Sequence, residues 1–325
     1  MRVGRIYFTF YIFILLLSSC TLKEDKRQTA PGKPFSFDVP DVSELTIAKN
    51  DPKSGDSWTV RLQNTGGPDP TWQIASGPHG ILDNLANTGY VNHLLDTLRT
   101  LRADLHTETT NGPIESFGLL PPVFYLEWRT NKADKAEQWR LKLGLPEGGK
   151  PFCIASAHAM ADSAVLTCTG AAIKMLDILD SFTAVRHRAL STITSDDVEE
   201  IEIFYGNKKS VFFAQREGLD WTNRKHRRLK ANIDAFLDGV THTRIKEFVD
   251  DPDETLRLLD TLKKSRHQTI RLSGLKGMSV TIKSSKQSHE LLATISNRPG
   301  AVFKLYPEAG RFLTRLPAQA PLPRQ

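Results

Sequence analysis

The chain has 325 residues, 39% hydrophobic and 25% charged, an ordinary globular composition long enough for two cores. Its formal charge of +6 is too mild to argue for nucleic acid as a partner.

Residues 1–19 have the three parts of an export signal. Arg2 and Arg5 supply a positive start, 7–17 an apolar run of the expected length, and Ser18 and Ser19 the small residues before a cut. The apolar run is shorter than the ~20 residues a bilayer span needs, which weighs against a transmembrane helix. Leu17-Ser18-Ser19-Cys20 resembles the lipobox of bacterial lipoproteins. That resemblance implies a diacylglyceryl group on the Cys20 thiol, cleavage before Cys20 and acylation of the new N-terminus. Two or three acyl chains anchor stably where one is marginal. Thr21, where the enterobacterial sorting rule would have Asp for retention, points to the outer membrane. Cleavage would remove Arg2 and Arg5 and lower the formal charge by two. No later apolar run approaches spanning length, so the body is expected to be soluble and to face the periplasm.

Residues 20–40 carry Lys23, Glu24, Asp25, Lys26 and Arg27, then Pro31, Pro34 and Pro40. This composition predicts a tether between lipid and body. From Val42 the pattern turns to short strands. Leu45-Thr46-Ile47 alternates, Trp58-Thr59-Val60-Arg61-Leu62 alternates again, and Thr71-Trp72-Gln73-Ile74 follows the turn Gly66-Gly67-Pro68. Val91, Leu94, Leu95, Leu98 and Leu105 recur at helical spacing and predict an amphipathic helix over 87–103. Further strands are predicted at 123–128, 139–144, 152–155 and 164–167. A helix carrying Ile173, Leu176, Ile178 and Leu179 is expected to link this unit to the next.

The same order returns downstream. Strands are predicted at 201–203, 211–214 and 220–222, the last again bearing a tryptophan, Trp221. Ile233, Phe236, Leu237 and Val240 repeat the helical spacing of 91, 94, 95 and 98. Strands at 269–272, 279–282, 291–295 and 302–305 complete the second set. The recurring order of strand, strand, tryptophan strand and helix predicts an internal duplication. The expected architecture is α+β: two tandem repeats over 41–190 and 195–316, each a mostly antiparallel sheet with a packed amphipathic helix. Residues 317–325, with Pro317, Pro321 and Pro323, are expected to be a disordered tail.

The Trp72 strand, the 91–98 helix, the turn Phe117-Gly118-Leu119-x-Pro121 and the strand Leu141-Lys142-Leu143-Gly144 resemble the domain of unknown function numbered 4340. So does Val185-Arg186-His187-Arg188 with Leu190, where that family often has Arg-Asp-Lys before a leucine. The resemblance covers about 42 to 316, in two copies. The second copy departs from it, because the Gly-Leu turn is missing near Leu258-Leu259-Asp260-Thr261-Leu262. The resemblance implies an envelope-anchored protein encoded beside ABC transporters of the gliding-motility type, with no catalytic residues to carry over.

Site chemistry is sparse. Beyond Cys20, the remaining cysteines are Cys153 and Cys168, which flank a predicted turn in a chain bound for an oxidising compartment. They read either as a cross-strand disulfide or as two buried thiols on opposite faces, and strand register decides between them. Trp72 and Trp221 read either as ligand platforms or as plugs between helix and sheet, and one at the same place in each repeat favours plugs. Arg224, Lys225, Arg227, Arg228 and Lys230 offer an anion-binding segment for phosphate, lipopolysaccharide or anionic lipid. The other reading is a solvated loop that guards a sheet edge. Asp250-Asp251-Pro252-Asp253-Glu254 lacks the spacing of a calcium loop and reads as a turn into a helix over 256–262. His93, His158, His187 and His242 have no partner at metal-ligand spacing, and no nucleophile elbow or phosphate-cradling loop appears. The sequence therefore predicts no cofactor, no metal and no catalytic constellation. It favours a lipid-anchored, non-enzymatic scaffold or accessory subunit of a membrane complex, plausibly ABC-transporter associated. The alternative is a binding lipoprotein for an anionic envelope ligand.

Overall fold

The computed structural model describes residues 34–317, apart from 51–54, 56, 67–70, 79–82, 109–113, 133–134, 145–151, 158–163, 170–178, 180, 207–208, 230–231, 275–276 and 288–289. The expected lipidation site Cys20, His158, Lys230 and most of the expected linking helix lie outside these residues.

The first unit opens with an antiparallel meander of β1 (Val42–Asn50), β2 (Ser57–Asn64) and β3 (Trp72–Ser76). Their alternation places Leu45, Ile47, Val60, Leu62, Trp72 and Ile74 on one buried face. Helix α1 (Thr88–Arg99) follows, its first turn capped by Asn87 Oδ1, which accepts the Tyr90 amide. The chain then enters β4 (Arg102–Glu108) at the far edge and returns through β5 (Phe124–Lys132), β6 (Lys135–Gly144), β7 (Phe152–Ala157) and β8 (Ala164–Thr169). The strand order is β3-β2-β1-β5-β6-β7-β8-β4, so α1 spans the face from one edge to the other. Its Val91, Leu94, Leu95 and Leu98 bury in one cluster with the inward residues of the sheet.

A short helix, α2 (Phe182–Val185), leads to the second unit: β9 (Val198–Tyr205), β10 (Phe212–Glu217), β11 (Asp220–Thr222), α3 (Ile233–Thr241) and β12 (Ile245–Phe248). Helix α4 (Pro252–Lys264) and strands β13 (Gln268–Gly274), β14 (Ser279–Gln287), β15 (Glu290–Ile295) and β16 (Phe303–Leu305) follow, then α5 (Gly310–Leu313). The second sheet runs β11-β10-β9-β13-β14-β15-β16-β12, position for position the order of the first. The fold is α+β, in two successive units of one topology.

The likeness extends to single bonds. Trp72 Nε1 donates to Asn92 Oδ1 of α1 at 3.0 Å, and Trp221 Nε1 donates to Asp234 Oδ1 of α3 at 2.9 Å. Position 92 follows Val91 as 234 follows Ile233. Each tryptophan therefore ties its edge strand to the helix that leaves it, the plug reading. On the opposite sheet face the units differ. In the first, Ile114 and Phe117 of a short turn pack with Leu119 and Ile154, while in the second α4 covers Leu292 through Leu258 and Leu262. Helix α4 stands where the Gly-Leu turn is missing from the sequence. A Cβ at Gly144 would collide with the Phe117 carbonyl, so the turn and the β6 end need glycine to meet.

Three expectations need correction. The helix does not reach Leu105; it stops at Arg99, and Leu105 lies in β4, where pairing with β8 supplies its backbone partners. The expected tether cannot run to residue 40, because Phe35 and Phe37 are buried and pack on Trp128 with ring centroids 4.7 and 5.3 Å apart. The edge strands β4 and β12 were not predicted at all.

Replacing Trp72 by Phe keeps the ring and removes the indole donor. The expected loss is about 1 to 2 kcal/mol in urea unfolding, with a similar loss for Trp221→Phe. Unchanged midpoints in both variants would dismiss the bond as a stabilising element.

Candidate functional site

Short backbone pairings carry the chain from the first unit to the second. Residues 84–86 run beside β3, with the Ile74 amide donating to the Asn84 carbonyl and the Ala86 amide to the Trp72 carbonyl. Their outer edge takes 185–187: the Asn87 amide donates to the Val185 carbonyl and the His187 amide to the Leu85 carbonyl. The same stretch, continued, pairs with the second unit. The Leu190 amide donates to the Thr243 carbonyl at 2.8 Å and the Ile245 amide to the Arg188 carbonyl at 2.7 Å. One extended segment, 185–190, thus pairs first with one unit and then with the other.

Four charges converge on it. Asp83, Arg186 and Arg298 are 1%, 2% and 3% exposed. Arg298 grips Asp83 through two bonds, Nε to Oδ1 at 2.8 Å and Nη2 to Oδ2 at 2.9 Å. Its Nη1 and Nη2 also donate to the Ala189 and His187 carbonyls of the linker, at 2.9 and 2.7 Å. Arg186 donates to both Asp250 oxygens, at 2.8 and 2.6 Å, and its Nη2 lies 3.7 Å from Asp83 Oδ2. Its guanidinium stacks 3.7 Å over the Phe248 ring. Burial pulls the Arg298 guanidinium below its ordinary value and Asp83 draws it back, but a guanidinium stays charged. Burial and the nearby Arg298 charge likewise lower His187, against the opposing pull of Asp83, so its imidazole is held neutral. Two carboxylates balance two guanidiniums in charge, while Arg186 Nε and His187 Nε2 are buried with no hydrogen-bond partner among the described residues. The cluster is built to fix position.

In the sequence Arg186 stands out only as part of the stretch that carries the family resemblance and Asp250 only as part of a turn, while Asp83 and Arg298 are not marked at all. Nothing local marks those two, since the four residues come from four separate stretches.

The other predicted residues are dispersed. Cys153 and Cys168 form a disulfide with Cα atoms 5.9 Å apart, inside the first core. The register pairs Cys153 with Leu166, which puts Cys168 diagonally across on the same face. In the basic run, Asn223 Oδ1 accepts the Lys225 and Arg227 amides and folds the segment into a tight turn. Arg224 pairs with Glu202 and stacks 4.9 Å from the Phe213 ring, and Arg228 lies 2.9 Å from Asp220. Lys225 and Arg227 are exposed and have no acidic partner among the described residues. Asp251 caps α4 by accepting the Glu254 amide, as the turn reading requires. His93 lies on α1 and His242 ends α3 beside Asp238. Among the described residues no group of three His, Cys, Asp or Glu side chains is placed to hold a metal ion, and no helix is long and apolar enough to cross a membrane.

Fold and junction define a two-unit α+β protein whose halves are stitched by a shared strand and a buried ion cluster. Residues 72–261, more than half of the chain, match the family model described as Domain of unknown function (DUF4340), and the chain belongs to that family. The matched span is continuous from Trp72 of the first unit across the 185–190 segment to Thr261 in α4 of the second. Neither the curated proteins nor the solved structures contain a match.

Asp83→Asn leaves two buried guanidiniums short of charge. The expected loss is about 3 to 5 kcal/mol, with faster amide exchange concentrated at 185–190. Stability equal to wild type would show that the cluster does not hold the junction. Acid should act through His187 as well. A lowered histidine contributes stability in full above its unfolded value of about 6.5 and loses it as pH falls through the folded value. His187→Asn should therefore flatten the pH dependence of unfolding below about pH 6.5; an unaltered profile would sink this assignment.

Proposed function

We propose that this protein is a lipid-anchored component of the bacterial envelope, facing the periplasm, that serves as a non-enzymatic scaffold or accessory subunit of a membrane complex. Its body is two copies of one ancestral unit. The observation that carries the reading is Leu17-Ser18-Ser19-Cys20 at the end of a short apolar run behind Arg2 and Arg5. Acyl chains on Cys20 would hold the body at the outer membrane.

Two further features support it. The Cys153–Cys168 disulfide suits an oxidising compartment outside the cytoplasm. The junction, with its charges turned inward on one another, suits a part that presents a fixed shape more than one that performs chemistry. The family resemblance adds ABC transporters as the membrane complex in question. A second reading, capture of an anionic envelope ligand by Arg224, Lys225, Arg227, Arg228 and Lys230, keeps the support of exposed Lys225 and Arg227. Pairing of Arg224 and Arg228 with Glu202 and Asp220 weakens it.

The test is Cys20→Ser in the full chain. Fractionation and mass spectrometry should find an uncut, unacylated precursor, displaced from the outer membrane. If that variant is still cut before residue 20 and remains equally membrane-bound, the anchor reading fails.

A further inference from the structure

The two units differ in what lies on one equivalent edge. In the first, the segment beside β3 is itself covered: Leu85 points its backbone outward and its carbonyl accepts the His187 amide. In the second, the corresponding segment is 227–229. The Leu229 amide donates to the Trp221 carbonyl at 2.7 Å as the Ala86 amide donates to the Trp72 carbonyl at 3.1 Å. The isolated pairings match too, Gln73 with Leu85 and Thr222 with Arg228. Arg228 therefore stands where Leu85 stands, its backbone turned away from the sheet. Among the described residues nothing pairs with that outer edge, and 224–228 are all exposed. The slot that the first unit fills with 185–187 is open in the second.

Its charge is inverted. The first slot has Asp83 two residues before Leu85 and receives an arginine, Arg186. The second has His226 two residues before Arg228, flanked by Arg224, Lys225 and Arg227. Glu202 is shared between Arg224 and Arg271, Asp220 answers Arg228 and Glu217 bonds His226 at 2.6 Å, which leaves Lys225 and Arg227 as the cations without an acidic partner among the described residues. An exposed strand edge is a template for an added strand, and side-chain charge selects which one.

We propose that the outer edge of 227–229 takes an extended acidic segment of a partner protein as an added β-strand. The proposal deepens the accessory-subunit reading by naming the surface and the chemistry of the partner. Backbone bonds to Arg228 would supply the register, and Lys225 and Arg227 would meet carboxylates on the incoming strand. A charged, otherwise unprotected edge also keeps neighbouring copies apart, since like charges face each other across such a pairing.

The test uses the full chain purified in detergent and a fluorescent peptide of about eight residues, the length of an ordinary strand, alternating Glu and Thr. The control peptides replace Glu by Lys, or carry N-methyl groups on alternate amides so that one edge cannot donate. Binding of the Glu peptide alone, lost in Lys225→Glu/Arg227→Glu, is the expected result. Equal binding of the N-methylated peptide, or of the Lys peptide, would overturn it. So would no peptide binding together with salt-sensitive adsorption to vesicles of phosphatidylglycerol, which would assign the surface to lipid. Cys20→Ser should leave peptide binding intact, so failure of the anchor and failure of the edge are separately visible.

Discussion

Asp83 and Arg298 meet across more than two hundred residues of chain, at a place almost closed to water. Neither charge is tolerable there alone, because removing an ion from water costs several kcal/mol that only a well-placed counter-ion returns. Arg298 comes from the turn after β15 in the second unit, and Asp83 from the stretch before α1 in the first. Their two-point contact, with the linker carbonyls of His187 and Ala189 taking two further donors, leaves one arrangement of the halves in which the charges are satisfied. An apolar interface of the same area would stabilise comparably with less directional demand. The polar cluster contributes specificity of position.

Everything else at the junction depends on that placement. Segment 185–190 can pair with both units only if they are held side by side, and Arg186 reaches Asp250 and the Phe248 ring only from there. His187 is half-buried for the same reason, and its neutral state follows from lost hydration and from the neighbouring Arg298. The junction joins unlike edges, the β3 side of one unit to the β12 side of the other. Such a head-to-tail contact leaves the 227–229 edge at one end, unpaired among the described residues.

The two units show how one topology is put to different uses. The tryptophan-to-helix bond is kept in both because it fixes how the helix leaves its strand. The second sheet face is covered by a glycine turn in one unit and by α4 in the other, since any apolar cover serves there. Edges differ most, one sealed by the linker and the other ringed by arginine and lysine.

Much of this was legible in the chain. Residues 91, 94, 95 and 98 and their echo at 233, 236, 237 and 240 set the helices, because a 3.6-residue period is a local property. Alternation at 45–47, 58–62, 201–203 and 279–282 set the strands for the same reason, and Cys20 with its apolar run set an expected address. What stayed hidden is whatever depends on contacts distant in sequence. β4 and β12 are edge strands whose pairing with β8 and β16 is invisible locally, and Leu105 fell on the helical stripe by coincidence of spacing. Phe35 and Phe37 sat in a run of prolines and charges that masked two core residues. Arg224 and Arg228 looked free because Glu202 and Asp220 are brought to them by strand pairing. The ion cluster shows the division most plainly: four ordinary charged residues became one buried junction only when tertiary folding removed the water between them, because desolvation is a property of the assembled structure and not of any stretch of chain.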